Sequence, residues 1–276
     1  MQTEKEIKEM VKQKYTEIAL QNKETNAASC CGATSSSCCG DGTYTIMSEE
    51  YTELKGYNPD ADLGLGCGLP TQFAKIKKGD TVIDLGSGAG NDCFVARAET
   101  GETGKVIGID FTPAMIEKAR LNAEKLGFNN VEFRQGDIEN MPVTANVADV
   151  VVSNCVLNLV PNKEAVFKDI YRVLKVGGHF SISDIVLTGD LPAKIKSAAE
   201  MYAGCVASAI PKDEYLGYIE KACFKNIKLQ KEKPIIIPDD ILKNYLTVEE
   251  ISEYKSKPTA IYSITVYAEK QGCCGC

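Results

Sequence analysis

Apolar residues recur at Ile7, Met10, Val11, Ile18 and Leu20 among lysines and glutamates. Their spacing predicts a charged amphipathic helix over residues 3 to 22, packed on a main domain. From Asn22 to Thr43 the apolar period disappears and Ser, Thr, Gly, Ala and Cys take over, the composition of a flexible loop. From Gly79 onward short apolar runs alternate with amphipathic stretches, as in parallel strands joined by helices. Strands are predicted at Thr81 to Leu85, Val106 to Asp110, Val131 to Gln135, Ala148 to Ser153 and His179 to Asp184. Helices are predicted at Asn91 to Thr100, Pro113 to Gly127 and Lys163 to Lys175, the last stopping at Gly177-Gly178. This is the α/β pattern of a doubly wound, mostly parallel nucleotide-binding sheet. Helical stretches follow at Pro192 to Ala207 and Lys212 to Ala222, then strand-like ones at Asn226 to Glu232 and Ala260 to Glu269. The two strands are expected at the sheet edge and the helical stretch as a small cap. Three parts result: a helix and Cys-rich loop at 1–43, the sheet core at 44–190, and cap, edge strands and Cys-rich tail at 191–276.

Composition narrows the function classes. A chain of 276 residues can bury a full core, and 31 basic against 38 acidic side chains argue against a nucleic-acid partner. The start carries no basic segment followed by an apolar one, and no apolar run approaches a membrane span, so a cytoplasmic protein with no membrane partner is expected. Twelve cysteines and a single histidine, His179, stand out. Seven of the thiols cluster at the ends, at Cys30, Cys31, Cys38, Cys39, Cys273, Cys274 and Cys276. In a reducing compartment such thiols point to metal binding, redox work or catalysis, and with one histidine any soft-metal site must be mainly thiolate. The terminal clusters lack the paired spacing of a structural zinc site, which favours loose thiol delivery or redox. His179 falls at the start of a strand and reads as structural.

Asp84-Leu-Gly-Ser-Gly-Ala-Gly90 directly follows the first strand and opens a helix, so its glycines allow a tight turn and close backbone approach to a ligand. No Gly-Lys-Ser or Gly-Lys-Thr follows, which excludes a P-loop. Asp84 can accept from an ammonium group but would repel a pyrophosphate. Asp110, at the end of the second strand, can accept two ribose hydroxyls, and Asp137, after the third, an adenine amino group. Together these features resemble the class I S-adenosylmethionine-dependent methyltransferases over most of residues 70 to 190. The resemblance implies a Rossmann-like fold and a cofactor, S-adenosyl-L-methionine, held by Asp84, Gly86, Ser87, Gly88, Gly90, Asp110, Phe111, Met115, Gly136, Asp137, Ile138 and Asn154.

Substrates of open α/β sheets bind beyond the carboxyl ends of the strands. Cys155 lies there, just past the fourth strand; Cys67 sits in the Gly-rich Leu63-Gly-Leu-Gly-Cys-Gly-Leu-Pro70, and Cys205 in the expected cap. Cys93 and Cys223 read instead as small core hydrophobes. Leu-Gly-Cys-Gly around Cys67, Ser-Asn-Cys-Val-Leu-Asn-Leu-Val around Cys155 and Gly204-Cys205 resemble the arsenite methyltransferases over nearly the whole chain. That resemblance implies trivalent arsenic held by Cys67, Cys155 and Cys205, with Cys39, or its neighbour Cys38, in a disulfide relay. It also implies arsenite and methylated arsenicals as substrates, a thiol reductant, thioredoxin or glutathione, and thioredoxin as a possible partner. The chain differs from the longer animal members in ending soon after Glu269 and in having Leu65 where they carry a tyrosine. Two other readings are a methyltransferase of a small organic molecule, with Tyr202 or Glu200 as base, and a thiol-rich metal-sequestering protein. The second leaves the glycine motif unexplained.

Overall fold

The computed structural model describes residues 3–20, 49–189, 191, 194, 209–243, 246–257 and 260–272. Helix α1 (Glu4–Ala19) begins with a reciprocal capping box between Thr3 and Glu6 and buries Val11, Ile18 and Ala19. After a one-turn helix α2 (Pro70–Phe73), strands and helices alternate: β1 (Thr81–Leu85), α3 (Asn91–Thr100), β2 (Lys105–Asp110), α4 (Pro113–Leu126) and β3 (Val131–Gln135). Then come β4 (Ala148–Asn154), α5 (Lys163–Val173), β5 (Leu174–Leu187), α6 (Lys212–Lys221) and β6 (Lys225–Pro234). The one-turn α7 (Asp239–Leu242), α8 (Val248–Ser256) and β7 (Ile261–Glu269) complete the described fold.

The seven strands form one sheet in the order β3-β2-β1-β4-β5-β7-β6. The first five are mutually parallel, and β7 runs antiparallel to both β5 and β6. This is the expected doubly wound class I methyltransferase sheet, with the last two strands at the edge as predicted. Successive residues of β1 face opposite sides: Val82 packs with Phe94, Met115 and Ala119 of α3 and α4, and Ile83 with Phe167 and Ile170 of α5. Both faces are therefore covered, which is why these strands read as unbroken apolar runs. Helix α1 adds Ile18 and Ala19 to the α3/α4 side, and Lys118 donates to the Ala19 carbonyl at 3.0 Å, so it packs on the main domain as expected.

Two boundaries depart from expectation. Helix α5 ends at Val173, and Leu174 is already extended (ψ 140°), so the chain passes straight into β5 and runs through Gly177-Gly178 as strand. Glycine serves close backbone approach here: a Cβ on Gly178 would lie 3.0 Å from the carbonyl oxygens of Asp149 and Lys175. Helix α8, opened by a capping box between Thr247 and Glu250, is additional to the predicted elements. The predicted helical stretch at 192–207 lies outside the described residues.

Candidate active site

The order β3-β2-β1-β4 places the topological switch point at the carboxyl ends of β1 and β4. Beyond β1 the chain turns through Gly86 (φ +65°) and Gly88 (φ +50°), a left-handed course that favours glycine. At Gly86 a Cβ would also lie 2.4 Å from the Val156 side chain. Asp110 accepts hydrogen bonds from the Gly88 amide at 3.0 Å and the Thr112 amide at 2.8 Å, so the glycine loop and the end of β2 are tied together.

A cleft of about 1090 Å³, open mouth included, lies over this loop. It brings together eleven of the residues named from sequence: Asp84, Gly86, Ser87, Gly88, Asp110, Phe111, Met115, Asp137, Ile138, Asn154 and Cys155. Leu65, the residue that departs from the family pattern, also lines it. Gly90 and Gly136 stand behind the lining, where a Cβ would meet the rings of Phe94 and Phe133 at 2.9 Å, or Pro142 at 2.5 Å. Cys39, Cys38 and Cys205 lie outside the described residues.

The lining is strongly acidic. Asp62, Asp84, Asp92, Asp110 and Asp137 contribute to it, and among the described residues Lys8 of α1 is the one basic side chain in the lining. Burial pushes the Asp84 carboxyl well above the usual carboxylate range, with the nearby Asp92 charge adding to it. Burial also raises Asp110, and lifts Asp92 to about 6. A cationic ligand would reverse these shifts, because its charge favours the ionised carboxylates. At the other end Lys8 Nζ sits 2.6 Å from Asp137 Oδ2 and also pairs with Glu139.

The thiols divide into two groups. Cys155 directly follows β4 in a left-handed conformation (φ +61°), with its amide donating to the Ser183 carbonyl at 2.8 Å. Cys67 donates its amide to Asn154 Oδ1 at 3.0 Å and accepts from Ser263 at its carbonyl at 2.7 Å. Both are buried in one apolar cluster with Ile185, Ile235 and Ile261, beside the cleft that Cys155 itself lines. Cys93 is buried in the core as expected, but it also donates to Asp84 Oδ2 at 3.2 Å, and burial raises its thiol further. Cys223 departs from its expected core position: it occupies a left-handed turn (φ +67°) after α6 and is only half-buried. Among the described residues no three His, Cys, Asp or Glu side chains stand together as a metal site. His179, on β5, stacks against Tyr267 and contacts the Ala74 carbonyl at 2.6 Å, a structural placement.

Sequence reasoning missed Lys8, Tyr51 and Asp92. Tyr51 Oη lies 2.9 and 3.0 Å from the two Asp92 oxygens, and Asn154 donates to it. Asp92 had one local signal, its place in the first turn of α3; Tyr51 lies in an aperiodic segment and had none.

A family model described as a methyltransferase domain matches residues 76–223. The arsenite methyltransferase of Halobacterium salinarum is 43% identical over 81% of this chain and 59% of its own length. That of Aquipseudomonas alcaligenes is 30% identical over 86% of this chain and 68% of its own. The crystal structure of an arsenic (III) S-adenosylmethionine methyltransferase from Chlamydomonas reinhardtii superposes with a TM-score of 0.63 at 34% identity, over 75% of this chain and 68% of that one. The chain belongs to the arsenite methyltransferase family. It spans about three fifths of the length of the Halobacterium arsenite methyltransferase. The cleft fits the cofactor of a class I methyltransferase: the left-handed glycines leave room for it, the acidic lining suits a sulfonium and an ammonium, and the buried Ser87 hydroxyl has no partner among the described residues. Among the described residues no helix is long and apolar enough to cross a membrane.

Proposed function

We propose that this chain transfers a methyl group from S-adenosylmethionine to trivalent arsenic held by the thiolates of Cys67, Cys155 and Cys205. The observation that carries the reading is the position of Cys155, which lines the acidic cleft while sharing a buried cluster with Cys67. When bound, the cofactor supplies an electrophilic methyl group on a sulfonium. Asp110 holds the ribose hydroxyls, Asp84 the ammonium, and Asp137 with Ile138 the adenine, while Gly86, Ser87 and Gly88 pass beneath. Soft thiolates suit thiophilic arsenic and leave its lone pair open, so proximity does most of the work and no protein base is needed. The apolar cluster around Cys67 and Cys155 would keep water from the arsenic.

Methylation takes arsenic formally from the trivalent to the pentavalent state. Two site thiolates return the electron pair by closing one disulfide, and the thiolate of Cys39, or of Cys38, reopens it by exchange. A thiol reductant, thioredoxin or glutathione, then restores the dithiol, which suits a reducing compartment such as the cytosol. The test is incubation with labelled S-adenosylmethionine, arsenite and thiol, followed by speciation of the arsenic. Label on methylated arsenic supports the reading; label only on an added organic acceptor rejects it.

A further inference from the structure

One side-chain amide joins the cofactor cleft to the Cys67 loop. Asn154, the last residue of β4, presents Oδ1 to the amides of Cys67 at 3.0 Å and Gly68 at 3.3 Å, and Nδ2 to the Gly68 carbonyl at 2.8 Å. The loop is shaped around this group, since a Cβ on Gly66 would lie 2.5 Å from Asn154 Nδ2. On its far side the same Nδ2 meets Tyr51 Oη and, at 3.3 Å, Asp92 Oδ2, and Tyr51 meets Asp92 in turn.

The proton inventory makes this a one-way chain. The Tyr51 hydroxyl has two acceptors, the Gly68 carbonyl at 3.2 Å and the Asp92 carboxylate at 2.9 Å, and the closer, charged one takes the proton. Having given its one proton there, the Tyr51 oxygen must accept from Asn154. The carboxamide therefore turns its NH₂ toward Tyr51 and its oxygen toward the two loop amides, and no other orientation satisfies every partner. Tyr51 is 5% exposed, so water does not compete for these bonds, and a reversed amide would leave buried donors facing one another.

We propose that Tyr51 and Asp92 are positioning residues that fix the Asn154 carboxamide in the orientation holding the Cys67 loop. The inference rests on the proposed function in taking Cys67 as an arsenic ligand. Asp92 lines the cofactor cleft, so the fixed charge at the head of the chain sits where the cationic cofactor binds and the thiolate loop sits at its tail. The cleft and the loop thus share one hydrogen-bonded frame.

The test uses Tyr51→Phe, Asp92→Leu and the double variant, all close in size to the parent. Arsenite kinetics at saturating cofactor are read beside hydrogen exchange of the Asn154 side-chain amide in ¹⁵N-labelled protein, its signal assigned by loss in Asn154→Ala. Each single variant is expected to raise the arsenite KM about tenfold, with kcat changed less than about threefold, and to speed exchange of the amide about tenfold or more. Because both substitutions act on one network around Asn154, the KM effect of the double variant should fall short of the product of the single effects. Effects on KM that multiply in the double variant, or parent-like amide protection in Tyr51→Phe, overturn the proposal. If the parent fails to methylate arsenite, the proposed function falls, and the amide exchange still decides the positioning role.

Discussion

Lys8 Nζ lies 2.6 Å from Asp137 Oδ2, which brings the first helix of the chain against the residue assigned to the adenine amino group. Both side chains are partly exposed, so the pair itself contributes little to global stability, about 0 to 1 kcal/mol. Its effect should be local. In Lys8→Gln, amide hydrogen exchange in α1 should accelerate while the melting temperature barely moves. Removing residues 1–20 should lower stability more, because it uncovers Ile116 and Ala119 beside Ile18 and Ala19. Unchanged exchange in α1 would count against the ion pair as its anchor.

Asp110 is held by hydrogen bonds from the Gly88 and Thr112 amides. In Asp110→Ala the cofactor should bind at least about tenfold more weakly, since a hydrogen bond to a charged acceptor is worth about 1.5 to 3 kcal/mol. Calorimetry with S-adenosylhomocysteine measures this without turnover, and an unchanged affinity would remove Asp110 from the site.

The thiols should separate by place. Serine at Cys67 or Cys155 should abolish arsenite methylation while leaving cofactor affinity intact, because a hydroxyl is a poor soft-metal ligand at neutral pH. Serine at Cys93 keeps a donor toward Asp84 and should cost stability while arsenite-dependent turnover persists. Equal loss of activity at all three positions would contradict the division between ligand and core.

Acid should weaken cofactor binding. A cation favours the ionised forms of Asp92, which burial raises to about 6, and of Asp84, which burial also raises, so affinity should fall as pH drops through 6. Calorimetry between pH 5 and 8 measures the limb, which Asp92→Asn should flatten. Stability of the ligand-free chain should move the opposite way. Burial raises Asp92 to about 6 and Asp184 to about 7, so the folded chain binds more protons than the unfolded one. Their contribution is present below the unfolded value near 4 and is lost as pH rises through 6 and 7. Urea titrations of the ligand-free protein at pH 5 and pH 8 test the sign.

What was legible in the sequence was local. The bounds of β1 and α3 follow from an apolar run and the turn that Gly86, Gly88 and Gly90 impose between them, so the cofactor loop could be placed residue by residue. Gly177-Gly178 misled because glycine after a helical pattern signals a stop, whereas here Leu174 and His179 on either side pair with β4 and the Lys270 backbone exchanges hydrogen bonds with both glycines. Tyr51 and Lys8 were invisible for another reason: their partners lie 41 and 129 residues away, beyond any periodicity. The pairing of Cys67 with Cys155 was reachable only through the family pattern, since nothing local joins a loop before β1 to one after β4.

The described sheet ends on β6, whose sequence carries Lys225, Lys228, Lys231 and Lys233, offset in part by Glu232 and by Glu49, which pairs with Lys231 and Lys233. A terminal strand can template another copy of itself edge to edge, and a row of like charges makes that encounter repulsive. The same segment that completes the fold thus discourages self-association, and high salt, by screening that charge, should be the condition under which the protein aggregates most readily.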